Sequence, residues 1–371
     1  MVAGRTDLAK VALFIPTLGG GGAERVTLNL ARGLAAAGVA VELVVASATG
    51  PLTEGLSDTP VVDLGTGRVI TAVAPLARYL RAAKPVAIVS GMNHANIMVI
   101  WAARLARFRG RVVVVEHNDL IEGNRGGLIE GRVIPWLMKL TYPAAASVVA
   151  VSEGVKASLI ERAGVSGDTV EVIYNPVLTE ASRAAAAQHV DHEFFDLPDT
   201  SVIVGVGRLT AQKNFSNLLR AFAKLVEKRD ARLIILGEGE ERQELESLAG
   251  TLGIKRLVDF PGFVPNPHAY IRRSDLFALS SDFEGLPTVL IEALGAGARV
   301  VATDCPSGPS EILADGRYGE LVPVRDPEAL ATAIDRSLDL APPELGDWLE
   351  QFSLEYAASR YMETLGLEPD E

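Results

Sequence analysis

Short runs of β-branched and aliphatic residues recur along this chain, each followed by a helix-length amphipathic stretch. Val11–Ile15 precedes a helical pattern over Glu24–Ala37, and Val39–Val45, Val86–Val89, Val112–Val115, Ser147–Val151 and Val170–Ile173 continue the rhythm. These runs are mostly apolar without alternation, as strands buried on both faces of a parallel sheet must be. The second half restarts with Val202–Val206, Arg232–Leu236, Asp275–Leu279 and Arg299–Ala302. The pattern predicts an α/β chain of two doubly wound, Rossmann-like domains.

Proline marks the breaks. Pro176, directly after a strand, cannot continue its ladder, so Asn175-Pro176 is the natural exit from the first domain. The alanine run Ala184–Ala187 reads as a short helix or as linker. A last helix over Pro327–Leu338 and the Pro342-Pro343 break precede an aromatic-bearing helical tail that must bury Trp348, Phe352, Tyr356 and Tyr361. The expected division is 1–175, 176–345 and a tail, 346–371.

Composition bears this out as far as it can. Single cores rarely grow beyond about 250–300 residues, and this chain has 371, of which 48% are hydrophobic and 22% charged. The lone Cys305 cannot form an internal disulfide, no secretory leader is visible and no apolar run approaches a spanning helix, so a soluble or at most peripheral cytoplasmic protein is expected. The net charge of −12 argues against nucleic acid. It is, however, a sum of unlike halves: residues 1–174 carry +3 and the remainder −15, and residues 68–139 alone carry +7.

Three segments could carry chemistry. Gly19-Gly20-Gly21-Gly22-Ala23-Glu24 follows the first strand and opens the first helix. It reads either as a flexible turn or as an anion site at a helix N-terminus. Arg208 and Lys213 lie just past the first strand of the second half, either as solvated surface or as a forked donor and a point charge for a diphosphate. In Phe283-Glu284-Gly285-Leu286-Pro287, Glu284 precedes a helix, while Glu292 lies inside that otherwise apolar helix and needs hydrogen-bond donors, for example a ribose diol.

Glu284-x7-Glu292, with Arg208 and Lys213 upstream and the glycine turn near the start, resembles family 4 of the retaining, nucleotide-sugar-dependent glycosyltransferases. The Gly-Gly-Ala-Glu turn and Asp304–Glu311 resemble the branch that builds bacterial surface polysaccharides and lipid-linked oligosaccharides. The resemblance implies the GT-B fold, two Rossmann-like domains facing a deep interdomain cleft, with a C-terminal helix crossing back to the N-terminal domain. It also implies roles. Arg208 and Lys213 would neutralise the donor diphosphate, Glu284 would sit by the donor sugar with Gly285, Leu286 and Pro287, and Glu292 would hold the ribose. The Gly262-Phe263-Val264 turn, with Val264 as a donor contact, and the loop from Glu284 to Pro287 would set the base and the sugar. His117, in Val115-Glu116-His117-Asn118, matches the family's active-site histidine. Gly20, Gly21 and Gly22 with Asn118 would approach phosphate or acceptor.

The implied reaction moves a hexosyl group from a nucleotide sugar, a UDP-sugar, to a polyprenyl-diphosphate-linked glycan with retention. No Asp-x-Asp pair is present, so no metal or other cofactor is expected. Glu24 and Glu116 have no motif support as nucleophiles, which favours front-face attack. Sucrose- or trehalose-type synthesis, 2-epimerisation and a non-catalytic sugar-nucleotide-binding subunit are the other readings. Finally, Arg104, Arg107, Arg109, Arg111, Arg125, Arg132 and Lys139 interleave with Leu128, Ile129, Ile134, Trp136, Leu137 and Met138. Residues 104–139 therefore suit either a solvated helix face or peripheral contact with an anionic membrane at its inner face.

Overall fold

A computed structural model describes residues 10–19, 21–50, 52, 59–67, 69–118, 120 and 132–367. The chain divides into two compact units, Met1–Pro176 with Gln351–Glu371, and Val177–Glu350.

The first unit is a seven-stranded sheet. Its strands are β1 (Lys10–Ile15), β2 (Ala40–Val45), β3 (Val61–Asp63), β4 (Ala87–Gly91), β5 (Arg111–Glu116), β6 (Ser147–Ala150) and β7 (Val170–Val172). All pairings are parallel, in the order β3-β2-β1-β4-β5-β6-β7. Leu13 on β1 pairs with Leu43 and Val89, and all three are buried, which is why the runs lack alternation. The helices are α1 (Gly22–Ala36), α2 (Val73–Ala83), α3 (Asn93–Ala106), α4 (Ile134–Thr141) and α5 (Glu153–Ala163). The chain steps one way along the sheet through α1 and the other way through α3, α4 and α5. Right-handed crossovers therefore put α1 on one face and those three on the other. Ser152 caps α5 by accepting the Val155 N–H at 3.1 Å, and Gly164 ends it in the left-handed conformation.

The second unit opens with α6 (Glu180–Ala186), the helical alternative for the alanine run, started by a reciprocal cap between Thr179 and Ser182. It continues through β8 (Ser201–Val206), α7 (Phe215–Leu225), β9 (Ala231–Leu236), α8 (Arg242–Thr251), β10 (Val258–Gly262), α9 (Pro267–Arg273) and β11 (Leu276–Leu279). Then come α10 (Thr288–Gly295), β12 (Val300–Thr303), α11 (Pro309–Ile312), β13 (Glu320–Val322) and α12 (Pro327–Leu338). The sheet order is β10-β9-β8-β11-β12-β13, again parallel. In each sheet the strand order reverses beside the first strand, at β1/β4 and β8/β11, and ligands of such folds bind outside the carboxyl ends of the strands at these reversals.

The tail closes the chain through a short 3-10 helix, Gly346–Phe352, and α13 (Leu354–Leu365), which Ser353 caps. Phe352 and Tyr361 are buried as expected, and Trp348 donates to the Ile312 carbonyl at 2.8 Å while its ring packs on Tyr318. Tyr356 is instead 45% exposed, because it points away from the helix face that docks on α1. Edge strands β3, β10 and β13 lie outside the sequence-predicted strands. They are three to five residues long, and polar residues or proline interrupt their short apolar runs. Among the described residues no helix is long and apolar enough to cross a membrane.

Docking of α13 depends on Gly33, where a Cβ would stand 2.9 Å from Leu354 Cδ1 and 3.1 Å from Ala358 Cβ. Gly33→Leu should overpack this helix pair and lower stability by about 1–3 kcal/mol in thermal or urea denaturation. A variant as stable as wild type would show that the helices need no such close approach.

Candidate active site

At the β8/β11 reversal of the second unit, two loops meet. The first leaves β8 through Gly207 and Arg208 and enters α7 at Asn214, whose left-handed backbone (φ 45°) lets its side chain cap the helix by accepting the Asn217 N–H. The second runs from Ser280 to Pro287, between β11 and α10. Gln212 binds them together by donating to the Phe283 carbonyl at 3.0 Å and accepting the Asp282 N–H at 2.8 Å, and Asn214 donates to Asp282 at 2.8 Å.

These bonds hold one ion pair. Lys213 Nζ donates to Glu284 Oε1 at 2.6 Å, and Ser281 Oγ donates to the same oxygen at 2.6 Å. Their side chains are only 16% and 8% exposed, so Lys213 is no solvated surface cation. A buried pair survives because each charge compensates the other, and removing one partner of such a pair costs about 3–5 kcal/mol. Arg208, by contrast, is exposed beside the same strand exit. Cys305 lies close enough to this pair to feel it: burial, and then the Glu284 charge, push its thiol far above the ordinary range. It is therefore an inert core thiol at neutral pH.

Two neighbouring features escaped sequence reading. Gly237, just past β9, has φ 137° and packs its backbone against the Gly207 carbonyl, into which any Cβ would run. Only glycine lets these two strand exits approach so closely. Its signal was the Gly237-Glu-Gly239 spacing after a strand. The other is His268 in the first turn of α9, whose Nδ1 lies 3.9 Å from Glu292 Oε2. Glu292 is in α10 as expected and is 22% exposed there. Pro287 is the N-cap residue of α10. Gly285, Leu286 and Pro287 follow Glu284 in the loop, and Ser307 Oγ donates to the Gly285 carbonyl at 2.7 Å. Val264 is half-buried after β10, and its neighbour Phe263 is 68% exposed.

In the first unit, Gly20 lies outside the described residues. Gly21 caps α1 and Gly22 begins it, both exposed, but Glu24 folds back over this turn: a Cβ on Gly21 would meet its carboxylate. An anion at this helix start would therefore meet a carboxylate as well as the N–H groups. His117 leaves β5, half-buried, with Nε2 only 2.9 Å from where a Cβ of Gly91 would be. Met92, next along, has φ 82°, a costly conformation for a side-chain-bearing residue. Burial lowers the His117 pKa to about 4, so its imidazole is neutral at neutral pH. Asn118 is exposed.

Glu116 faces elsewhere. It is 1% exposed, and its Oε1 accepts from Asn96 Nδ2 at 2.7 Å and from the Tyr142 hydroxyl. Burial outweighs these bonds and raises its pKa to about 7. The exposed cations Arg104, Arg107, Arg109, Arg111, Arg132 and Lys139 line the outside of the same unit, while Arg125 lies outside the described residues.

Comparison with known proteins gives this geometry a family. Residues 20–181 match the model of Glycosyltransferase Family 4, and residues 190–348 match that of Glycosyl transferases group 1. The chain belongs to the family 4 glycosyltransferases. Its two parallel-sheet units are those of the GT-B fold, and solved structures agree. The lipopolysaccharide outer core galactosyltransferase WaaB superposes with a TM-score of 0.74 at 19% identity, covering 96% of this chain and 99% of that one. HepE of Anabaena, solved with UDP and glucose, gives 0.73 at 19%, covering 96% and 95%.

Among curated relatives of this glycosyltransferase is the N-acetylgalactosamine-N,N'-diacetylbacillosaminyl-diphospho-undecaprenol 4-alpha-N-acetylgalactosaminyltransferase of Campylobacter jejuni. It is 31% identical over 67% of this chain and 66% of its own length. The lipopolysaccharide core biosynthesis glycosyltransferase LpsE of Rhizobium meliloti is 34% identical over 54% and 58%. The matches thus span less than two thirds of these relatives' lengths.

Glu116 predicts a pH signature. Folded, it keeps its proton to about pH 7 against the ordinary glutamate value of 4.5, so its contribution to stability is complete below the lower value and is lost as pH rises through the upper one. Glu116→Gln cannot ionise. Between about pH 5 and about pH 8 the wild type should lose roughly 1–3 kcal/mol relative to this variant. A difference that is flat with pH in denaturation experiments contradicts the assignment.

Proposed function

We propose that this glycosyltransferase moves a hexosyl group from a UDP-sugar to a hydroxyl of a polyprenyl-diphosphate-linked glycan, with retention and without a metal, in polysaccharide or lipid-linked oligosaccharide biosynthesis. The observation that carries the reading is the buried Lys213–Glu284 pair beside Arg208, at the strand-order reversal of the second sheet. A glycosyl transition state is oxocarbenium-like, so its barrier falls when the departing nucleotide diphosphate is stabilised. Lys213 brings three donors, of which Glu284 takes one, and Arg208 adds a guanidinium suited to forked contact with phosphate.

Glu284 has a double task. Its Oε1 fixes Lys213 and Ser281, and its Oε2 serves the donor sugar's hydroxyls. Glu292 takes the ribose diol, and Val264 with the loop Gly285–Pro287 flanks the donor. In the first unit, Gly21, Gly22, His117 and Asn118 serve the acceptor, with neutral His117 able to accept or donate a hydrogen bond. The inward-facing Glu116 supports front-face attack, in which the leaving phosphate takes the acceptor proton, since this carboxyl is committed to Asn96 and Tyr142. The names of the Campylobacter enzyme, with its undecaprenyl diphosphate, and of HepE with UDP and glucose favour this donor and acceptor class. Such an acceptor would place the protein at the inner face of the membrane, touching it through residues 104–139.

Transfer from a panel of UDP-sugars to polyprenyl-diphosphate glycans should fall about 100–1,000-fold in Glu284→Gln, with UDP still bound. Undiminished turnover would remove Glu284 from the mechanism. Transfer that requires added magnesium or manganese would overturn the metal-free reading.

A further inference from the structure

The loop between β11 and α10 is held by more than Gln212 and Asn214. Thr303 Oγ1 donates to the Ser281 carbonyl at 2.6 Å, and Ser307 Oγ donates to the Gly285 carbonyl. These braces are neutral. A further one carries a charge: Arg325, in the turn between β13 and α12, donates to Asp282 Oδ2 through Nε at 2.9 Å and Nη2 at 2.6 Å.

Asp282 is where that charge matters. Its side chain is 9% exposed, and it stands two residues before Glu284 and next to Ser281, which donates to Glu284. Asn214 meets its Oδ1 with a neutral amide, so the compensating charge comes from Arg325 on Oδ2. A nearly buried carboxylate stripped of its cation is costly, and it would turn toward water or toward the ammonium of Lys213, next in sequence to Asn214, in competition with Glu284. The balance of charge changes as well. Arg208, Lys213 and Arg325 exceed Glu284 and Asp282 by one positive charge, and without Arg325 that excess is gone.

The local backbone indicates that the arginine is there for its side chain. Its φ of 59° is a left-handed conformation that glycine or asparagine adopts more cheaply. Asp326, which follows, caps α12 by accepting the Glu328 and Ala329 N–H groups, so the helix start needs nothing from the guanidinium.

We propose that Arg325 is a positioning residue for the transfer reaction: by neutralising and pinning Asp282 it keeps the 280–287 loop, and so the Lys213–Glu284 pair, set for the donor diphosphate. It acts through Asp282 and not by touching the donor. The proposal deepens the donor reading and rests on it for the ligand.

Calorimetric titration of the full chain with UDP and with uridine tests this in a double-mutant cycle over Arg325→Ala and Asp282→Asn, with Arg325→Lys as the conservative variant. Arg325→Ala should lose about tenfold of the preference for UDP over uridine at unchanged uridine affinity, and Arg325→Lys should recover most of it. In the Asp282→Asn background, where no carboxylate is left to neutralise, Arg325→Ala should cost less than about twofold. The same tenfold loss in both backgrounds overturns the proposal, because Arg325 would then meet the phosphates itself. Parallel loss of UDP and uridine affinity also overturns it, since Arg325 would then serve the fold alone. A wild type without preference for UDP faults the donor reading, and the proposal falls with it; a wild-type preference that Arg325→Ala keeps faults the proposal alone.

Discussion

One buried ion pair organises the candidate site in the second unit of this glycosyltransferase. Lys213 and Glu284 are 71 residues apart, and they meet because β8 and β11 are adjacent in the second sheet. Their side chains are largely buried, so removing either partner would leave the other's charge uncompensated. The loops that carry them are in turn tied by Gln212, Asn214 and Asp282, so the position of the ammonium is set by the fold and not by its own flexible stem. Under the proposed function this prearranged charge is what a departing diphosphate meets, at no cost in reorganisation during the reaction.

The two sheets solve the same topological problem with different electrostatics. Each reverses its strand order beside its first strand and opens loops there. In the second unit the loops gather a cation pair within an otherwise acidic half. In the first they hold a neutral imidazole at His117, with the unfavourable backbone of Met92 nearby, and a glycine turn partly filled by Glu24. Charge is thus concentrated at the reversal of the second sheet, and a neutral hydrogen-bonding group stands at the strand ends of the first.

The inner strands were legible because burial on both faces makes their central residues mostly aliphatic. Edge strands β3, β10 and β13 were not, since one side of each ladder is open and Asp259 or Pro261 costs little there. At the site, the spacing of Glu284 and Glu292 was visible as an interruption of an apolar helix. The pairing of Lys213 with Glu284 was not, because it depends on which strands are neighbours. His268 was invisible for the same reason: its distance from Glu292 is a product of how α9 and α10 pack. Tyr356 shows the converse, an aromatic that composition assigns to the interior and helix geometry turns outward.

The central claim is that Lys213, held by Glu284, is the charge that recognises the donor's diphosphate. Calorimetric titration of wild type and Lys213→Met with UDP and with uridine isolates that charge, because the two ligands differ only in the phosphates. The account predicts that wild type prefers UDP strongly and that the variant loses most of this preference, roughly tenfold or more, while its weak affinity for uridine is unchanged. An undiminished preference for UDP in a folded Lys213→Met protein would contradict it.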